Sequence, residues 1–308
     1  MRKTLIILIL FISNFANAQL REKASFSLQV EDIVIPYSVF GVFVLPNEER
    51  AIEILFENQL QNYYLISEAG VLNKDNETHW RWRAPKTKGV YQVTAYNQSK
   101  QDSVKINFFV MVPYENLSNG KLNGYKIGSY PLSKNANYPL PKGFIELTKA
   151  NFDVKVSPHF SIGEFMCKQA GNFPKYLVLK EKLLLKLELV IDELEQEGVE
   201  VENMTVMSGY RTPFYNKAIG NVKYSRHVFG DAADVFIDNN SDFKMDDINK
   251  DGYSNKKDAR VMYKIIDDMK DQTWYKNLIG GLGLYGANSS HPAFVHVDGR
   301  GFLARWGI

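Results

Sequence analysis

The chain has 308 residues, of which 45% are hydrophobic and 23% are charged, so it can form one large core or two smaller ones. Its formal net charge is +2, with Lys and Arg spread along the chain, and we therefore expect no nucleic-acid partner. Cys167 is the only cysteine, which excludes an intrachain disulfide, and its apolar neighbours indicate a buried small side chain rather than a nucleophile.

Residues 1–18 have the pattern of a secretory signal peptide. Arg2 and Lys3 precede an apolar run, and Ala16-Asn17-Ala18 is a small-x-small cleavage signature. The run is shorter than the roughly twenty residues that span a bilayer, and no later segment approaches that length. We predict export across the inner membrane to the periplasm or the cell surface, with no membrane span after cleavage. An uncleaved N-terminal anchor is the alternative.

Residues 19–112 are predicted to form an all-β module. Apolar and polar residues alternate in segments 24–30, 90–96 and 104–110, as expected for half-buried strands. The pattern Trp80-x-Trp82-x-Ala84-Pro85 followed by Gly89-x-Tyr91 resembles bacterial immunoglobulin-like sandwich modules. We expect such a module to position the protein on the cell wall or on a protein partner.

Residues 113–157 are rich in Pro, Gly, Asn and Tyr and are predicted to be a connector that docks on a second domain, residues 158–308. In that domain, Ser161 and Glu164 have the spacing of a capping box, and residues 176–197 carry the clearest helical period of the chain. Segment 260–269 is a second predicted helix, and segments 201–207 and 293–297 are predicted strands. The mixture predicts an α+β domain with an antiparallel sheet.

His227, Asp234 and His296 are the residues most suggestive of chemistry. Gly230 permits a tight reversal between His227 and Asp234, and the alternation in Phe294-Val295-His296-Val297-Asp298 places His296 and Asp298 on one face of a strand. Two imidazoles and one carboxylate, with a fourth position open to water, form a catalytic zinc site. From spacing alone, two histidines hydrogen-bonded within a core remain the alternative.

Four motifs carry a family resemblance. They are Ser208-Gly209-Tyr210-Arg211-Thr212, Ser225-x-His227-x-x-Gly230-x-Ala232-x-Asp234, Gly281-x-Gly283-x-Tyr285 and residues 294–298. Together they resemble the zinc D-alanyl-D-alanine carboxypeptidase and murein endopeptidase family, over about residues 158–308. The resemblance implies the small α+β fold shared with the hedgehog signalling domain. It also implies zinc on His227, Asp234 and His296, with Arg211 as a substrate-binding arginine.

The sequence departs from this family at the general base. The family often has an acidic residue three positions before its last histidine, where this chain has Ala293. His291 matches a histidine of some branches and is a candidate for stabilising the transition state, and Asp298 is a candidate for orienting a ligand. The identity of the base, and activity itself, therefore stay open.

A second metal candidate lies between Asp234 and the next predicted helix. Residues 247–258 follow the spacing of an EF-hand calcium loop. The predicted ligands are Asp247, Asn249, Asp251, Tyr253 and Asp258. Asp at the last position resembles the calcium loops of dockerin modules. Calcium would stiffen this insertion, and the alternative is a polar, solvated loop without a metal.

These features predict a zinc metallopeptidase that cleaves peptidoglycan stem peptides or cross-links. A zinc-stabilised binding module without hydrolytic activity is the alternative, since Ala293 removes the usual acid.

Overall fold

The computed structural model describes residues 22–56, 62–99, 101–133, 135 and 137–308. The predicted signal peptide, residues 1–18, lies outside these ranges. The described chain divides into two compact units, one of residues up to Val110 together with Lys155–Pro158, and the other of Met111–Val154 with His159–Ile308. None of the helices in the described ranges has the length and apolar character needed to cross a membrane.

The described residues of the first unit are mainly β-strand. Nine strands lie within them: β1 (Lys23–Val30), β2 (Ile33–Tyr37), β3 (Val39–Val44), β4 (Glu49–Leu55), β5 (Tyr63–Ser67), β6 (Val71–Lys74), β7 (His79–Arg83), β8 (Gly89–Asn97) and β9 (Asp102–Val110). They form a five-stranded sheet, β2-β1-β4-β7-β6, and a four-stranded sheet, β3-β9-β8-β5. Neighbouring strands are antiparallel except for the parallel pair β3 and β9.

The predicted alternating segments of this unit fall within β1, β8 and β9, where alternate side chains are buried. Trp82 of one sheet stacks on Phe108 of the other with ring centroids 4.1 Å apart, so the two sheets contribute to one core. The immunoglobulin-like arrangement itself stays a prediction.

The second unit is α+β, as predicted. Short strands come first: β10 (Val112–Pro113), β11 (Lys121–Leu122), β12 (Tyr125–Lys126), β13 (Gly143–Leu147) and β14 (Lys175–Leu177). The main sheet has the order β15-β16-β18-β17-β19. Its strands are β15 (Met204–Ser208), β16 (Ala232–Ile237), β17 (Gly281–Tyr285), β18 (Phe294–Asp298) and β19 (Ala304–Trp306). Its pairs are antiparallel except β17 with β19.

Three α-helices accompany this sheet: α1 (Glu181–Gln196), α2 (Pro213–Ala218) and α3 (Lys256–Asp268). Helix α3 packs on β17 and β18, and α1 packs against α3. Single 3₁₀ segments cover Tyr114–Asn116, Ile162–Phe165, Arg226–Phe229, Met269–Asp271 and Thr273–Leu278. The predicted capping box of Ser161 and Glu164 is present, and it starts a 3₁₀ turn.

The predicted helix 176–197 begins too early. The structure starts α1 at Glu181, while Tyr176 and Leu177 belong to β14 and pair with β13. Both side chains are buried, so the same apolar residues that continue a helical stripe also fit a buried strand. Pairing with β13, which is distant in sequence, decides between them.

Part of the predicted connector packs against the rest of the second unit. The backbone N–H of Phe214 donates to the Ile127 carbonyl oxygen over 2.9 Å. The hydroxyls of Tyr130 and Tyr210 are 2.6 Å apart and buried. Residues 111–154 therefore belong to the second unit.

Candidate metal centre and active site

The main sheet and one turn bring three potential ligands together. Asp234 of β16 and His296 of β18 lie directly opposite each other in the antiparallel pair, so their side chains share one face of the sheet. His227 comes from the 3₁₀ turn Arg226–Phe229, which Gly230 ends in a left-handed conformation with φ of 71°. A Cβ at Gly230 would lie 2.4 Å from the Val178 carbonyl oxygen, so this close reversal requires glycine.

The donor atoms form a triangle of the size that a tetrahedral metal requires. His227 Nε2 lies 3.2 Å from His296 Nδ1 and 3.3 Å from Asp234 Oδ1. The third edge, from His296 Nδ1 to Asp234 Oδ1, is 2.8 Å. Tetrahedral ligands about 2.0 Å from zinc are about 3.3 Å apart. The residues therefore fit zinc, with two imidazole nitrogens and one carboxylate oxygen as donors.

Each of the three candidate ligands also contacts a second polar group on the side away from the metal position. His227 Nδ1 donates to the Gly209 carbonyl oxygen over 2.7 Å, and His296 Nε2 lies 3.0 Å from Asp298 Oδ2. The other oxygen of Asp234 accepts from Arg211 Nη2 over 2.7 Å. These contacts leave Nε2 of one imidazole and Nδ1 of the other to face the metal, and such partners fix ring orientation and tautomer.

Electrostatics keep the carboxylates of this cluster ionised. Burial opposes charge on Asp234, but the attraction of His227 and His296 outweighs it and holds the pKa of that carboxyl well below its ordinary value. Burial also disfavours a charged His296, yet hydrogen bonds to Asp234 and Asp298 raise its pKa to about 9. For His296, the two carboxylates therefore outweigh the effect of burial.

Asp298 is clamped on several sides. The carboxyl is fully buried and accepts from the Gly281 backbone N–H over 2.7 Å and from Arg300 Nε over 3.0 Å. A Cβ at Gly281 would lie 2.4 Å from Asp298 Oδ2, so the glycine makes room for this pair. The arrangement supports the predicted role of Asp298 as an orienting carboxylate behind His296.

The indole of Trp306 packs against Gly283, the second glycine of β17. Gly283 pairs with His296 on one side and with Trp306 on the other. A Cβ at Gly283 would lie 2.3 Å from the Trp306 indole. The indole can therefore approach the strand closely, and its centroid lies 5.2 Å from that of the His296 ring.

The three ligands line a pocket of about 340 Å³. Its walls combine aromatic rings with guanidinium groups. The aromatic residues are Tyr138, Tyr224, Tyr285, Phe294 and Trp306, and the arginines are Arg211, Arg226 and Arg300. Every arginine is already tied to a carboxylate, Arg211 to Asp234, Arg226 to Asp231 and Arg300 to Asp298.

Arg211, which the family resemblance predicts to bind substrate, lines the pocket. It also forms an ion pair with Asp234. Its Nη2 donates to Asp234 and its Nε donates to the Ser208 hydroxyl over 3.0 Å. The side chain is 13% exposed. Arg211 therefore orients a ligand carboxylate at the edge of the pocket.

His291 is not brought to the pocket. Its Nδ1 lies 2.8 Å from the Pro292 carbonyl oxygen, and its Nε2 lies 2.7 Å from the Asn288 side-chain nitrogen. Both ring nitrogens are thus engaged within the loop before β18, and the ring packs against Phe294. Ala293 is buried. Asp234 is the only carboxylate among the residues that line the pocket.

The predicted calcium loop gains no support from geometry. Across the described ranges, the group of at least three His, Cys, Asp or Glu side chains close enough to hold an ion is His227 with Asp234 and His296. The Asp258 carboxylate accepts from the backbone N–H groups of Asn249 and Asn255 and caps α3.

The remaining loop acids have partners too. Asp247 accepts from the N–H groups of Asp251 and Gly252, and Asp251 accepts from Tyr253 N–H and Lys257 Nζ. The calcium site stays a prediction.

Sequence reasoning missed Arg300, Trp306 and Tyr138 as pocket residues. Arg300 is two residues after Asp298, and Trp306 belongs to the edge strand β19. The two glycines of β17 were the available signal, because glycine in a strand often marks a close approach by another group.

Comparison with known proteins agrees with the geometry. Residues 158–264 match the family model of Peptidase M15, whereas no curated protein matches the chain. The matched segment contains Arg211, His227 and Asp234. His296 lies beyond it and is assigned to the site by its place in the triangle. Residues 158–264 are therefore similar to the Peptidase M15 family, a family of metallopeptidases.

Proposed function

We propose that the protein is a zinc-dependent peptidase that hydrolyses peptide bonds in peptidoglycan stem peptides or cross-links, as a D,D-carboxypeptidase or an endopeptidase. The observation that carries this proposal is the triangle formed by His227 Nε2, Asp234 Oδ1 and His296 Nδ1. His227 and Asp234 lie in the segment that matches Peptidase M15. When bound, zinc would supply a Lewis acid and a water of lowered pKa.

The chain's own residues would orient the ligands and the substrate. Arg211 holds the Asp234 carboxylate, and Asp298 with Arg300 holds the His296 ring. The aromatic walls, including Trp306, offer apolar surface to short side chains such as the methyl groups of alanine residues. These hydrogen bonds are present without a substrate, so the groups are already oriented before a substrate binds.

A zinc-stabilised binding module without hydrolytic activity is the second candidate. Ala293 occupies the position of the family's usual acid, and Asp234, a ligand, is the only carboxylate lining the pocket. A site of this kind would bind stem peptides through the metal and the arginines.

Digestion of purified muropeptides by the zinc-loaded protein tests the proposal. Release of D-alanine indicates a carboxypeptidase, and loss of cross-linked dimers indicates an endopeptidase, both measured by mass spectrometry. Intact muropeptides in the presence of stoichiometric zinc would favour the binding module. His227→Ala and His296→Ala should each abolish zinc binding. His79→Ala is the matched control, because His79 lies in the first unit and is partly exposed.

The proposal also includes a cellular location for the protein and a partner for its all-β unit. The signal-like residues 1–18 favour export and a periplasmic or cell-surface protein, which cell fractionation would test. The all-β unit would hold the protein on the wall or on a protein partner. Co-sedimentation of the full chain with purified sacculi would test the first of these.

A further inference from the structure

Tyr285 lines the same pocket as the three candidate metal ligands. It ends β17 directly opposite Phe294, while Gly283 of the same strand pairs with His296. Alternation puts Tyr285 on the face that carries His296. The Tyr285 ring stacks on Phe294 with centroids 4.5 Å apart and an interplanar angle of 6°. The side chain is therefore fixed on the metal side of the sheet.

A hydrogen bond from Trp306 determines whether the Tyr285 hydroxyl acts as a donor or as an acceptor. Trp306 Nε1 donates to the Tyr285 hydroxyl oxygen over 2.8 Å. An indole N–H is only a donor, whereas a phenol has one proton to give and two lone pairs. Since the oxygen accepts from Trp306, the phenol proton remains to be donated elsewhere. The same indole packs against the His296 ring, with ring centroids 5.2 Å apart.

The other tyrosine hydroxyls of the pocket are less suited to this role. The hydroxyl of Tyr224 donates to the Leu132 carbonyl oxygen over 2.9 Å. Tyr138 belongs to a separate cluster, with its ring against Tyr224 and near the Arg226 guanidinium. Tyr285 is the one that lies on the strand paired with β18.

We propose that Tyr285, oriented by Trp306, is a catalytic residue that donates a hydrogen bond to the substrate carbonyl oxygen as negative charge develops on it. The inference rests on the proposed peptidase function. Hydrolysis adds water to the carbonyl carbon, breaks the C–N bond and yields a carboxylate and an amine. Tyr285 keeps its proton throughout, and its contribution is a donor that strengthens in the transition state. Trp306 is a positioning residue.

Tyr285→Phe is the direct test, because it removes the hydroxyl and keeps the ring on Phe294. We expect kcat on muropeptides to fall about a hundredfold or more, as for loss of one oxyanion donor, with KM within about twofold and zinc content unchanged. Trp306→Phe should lower kcat by a smaller factor. Tyr64→Phe is the matched control, because Tyr64 is 40% exposed against 38% for Tyr285 and stacks on Tyr96 in the first unit.

A binding measurement separates this inference from the proposed function. A phosphinate analogue of D-alanyl-D-alanine, titrated calorimetrically into the zinc-loaded proteins, should bind Tyr285→Phe at least tenfold more weakly than the parent. If the parent cleaves muropeptides and Tyr285→Phe matches its kcat, the role of Tyr285 is wrong while the function stands. If the parent cleaves nothing, the proposed function and the catalytic role both fail, and weaker phosphinate binding by Tyr285→Phe would then support only a hydrogen bond from Tyr285 to a bound ligand. Equal phosphinate affinities would overturn that hydrogen bond as well.

Discussion

Replacing Asp298 by Asn should weaken zinc binding although Asp298 is not a ligand. The two carboxylate oxygens accept from the Gly281 N–H, from Arg300 and from His296 Nε2. An amide has one acceptor oxygen and one donor nitrogen. If its oxygen faces the Gly281 N–H, its NH₂ group faces His296 Nε2. His296 must then carry its proton on Nδ1, the atom that points toward Asp234 and His227.

The expected loss follows from that change of tautomer. Partners that orient a metal-binding histidine typically contribute 10- to 100-fold in metal affinity, or about 1.4–2.8 kcal/mol. Competition with a chelator of known zinc affinity at fixed pH measures the loss, and circular dichroism checks the fold. Asp242→Asn is the control, since Asp242 is a surface residue paired with Lys244. Zinc affinity of a folded Asp298→Asn protein within threefold of the parent would refute the reasoning.

Three further predictions concern other parts of the second unit. Arg211→Lys cannot reproduce the fork that joins Ser208 and Asp234, so turnover of muropeptides should fall about a hundredfold; parental turnover would assign Arg211 to scaffolding alone. Burial lowers the pKa of Lys186 to about 7 from 10.5, despite the attraction of a nearby carboxylate. Between these values the unfolded state binds more protons, so stability should rise with pH. Any advantage of Lys186→Met over the parent in urea unfolding should therefore shrink by about 2 kcal/mol from pH 7 to pH 9. An advantage that does not change with pH would contradict the lowered pKa. For the calcium loop, a rise in Tm with millimolar calcium that Asp247→Ala abolishes would confirm binding; an unchanged Tm would identify a hydrogen-bonded insertion.

The sequence determined those parts of the site that depend on local geometry. Gly230 and the short spacing from His227 to Asp234 required a reversal, and alternation required His296 and Asp298 to share a face. The same alternation predicted β1, β8, β9 and β18. Such predictions can be made from sequence because turn chemistry and side-chain direction are properties of a few consecutive residues.

Tertiary structure alone decided the rest, because it depends on pairing between residues distant in sequence. Tyr176 fits a helix or a strand until β13 pairs with β14. His291 has the spacing of a site residue, yet its ring nitrogens bind within its own loop. Trp306 reaches His296 only because β19 joins the edge of the sheet beside Gly283. The register of that sheet, set by which apolar faces are buried, determines which side chains reach the cluster of His227, Asp234 and His296.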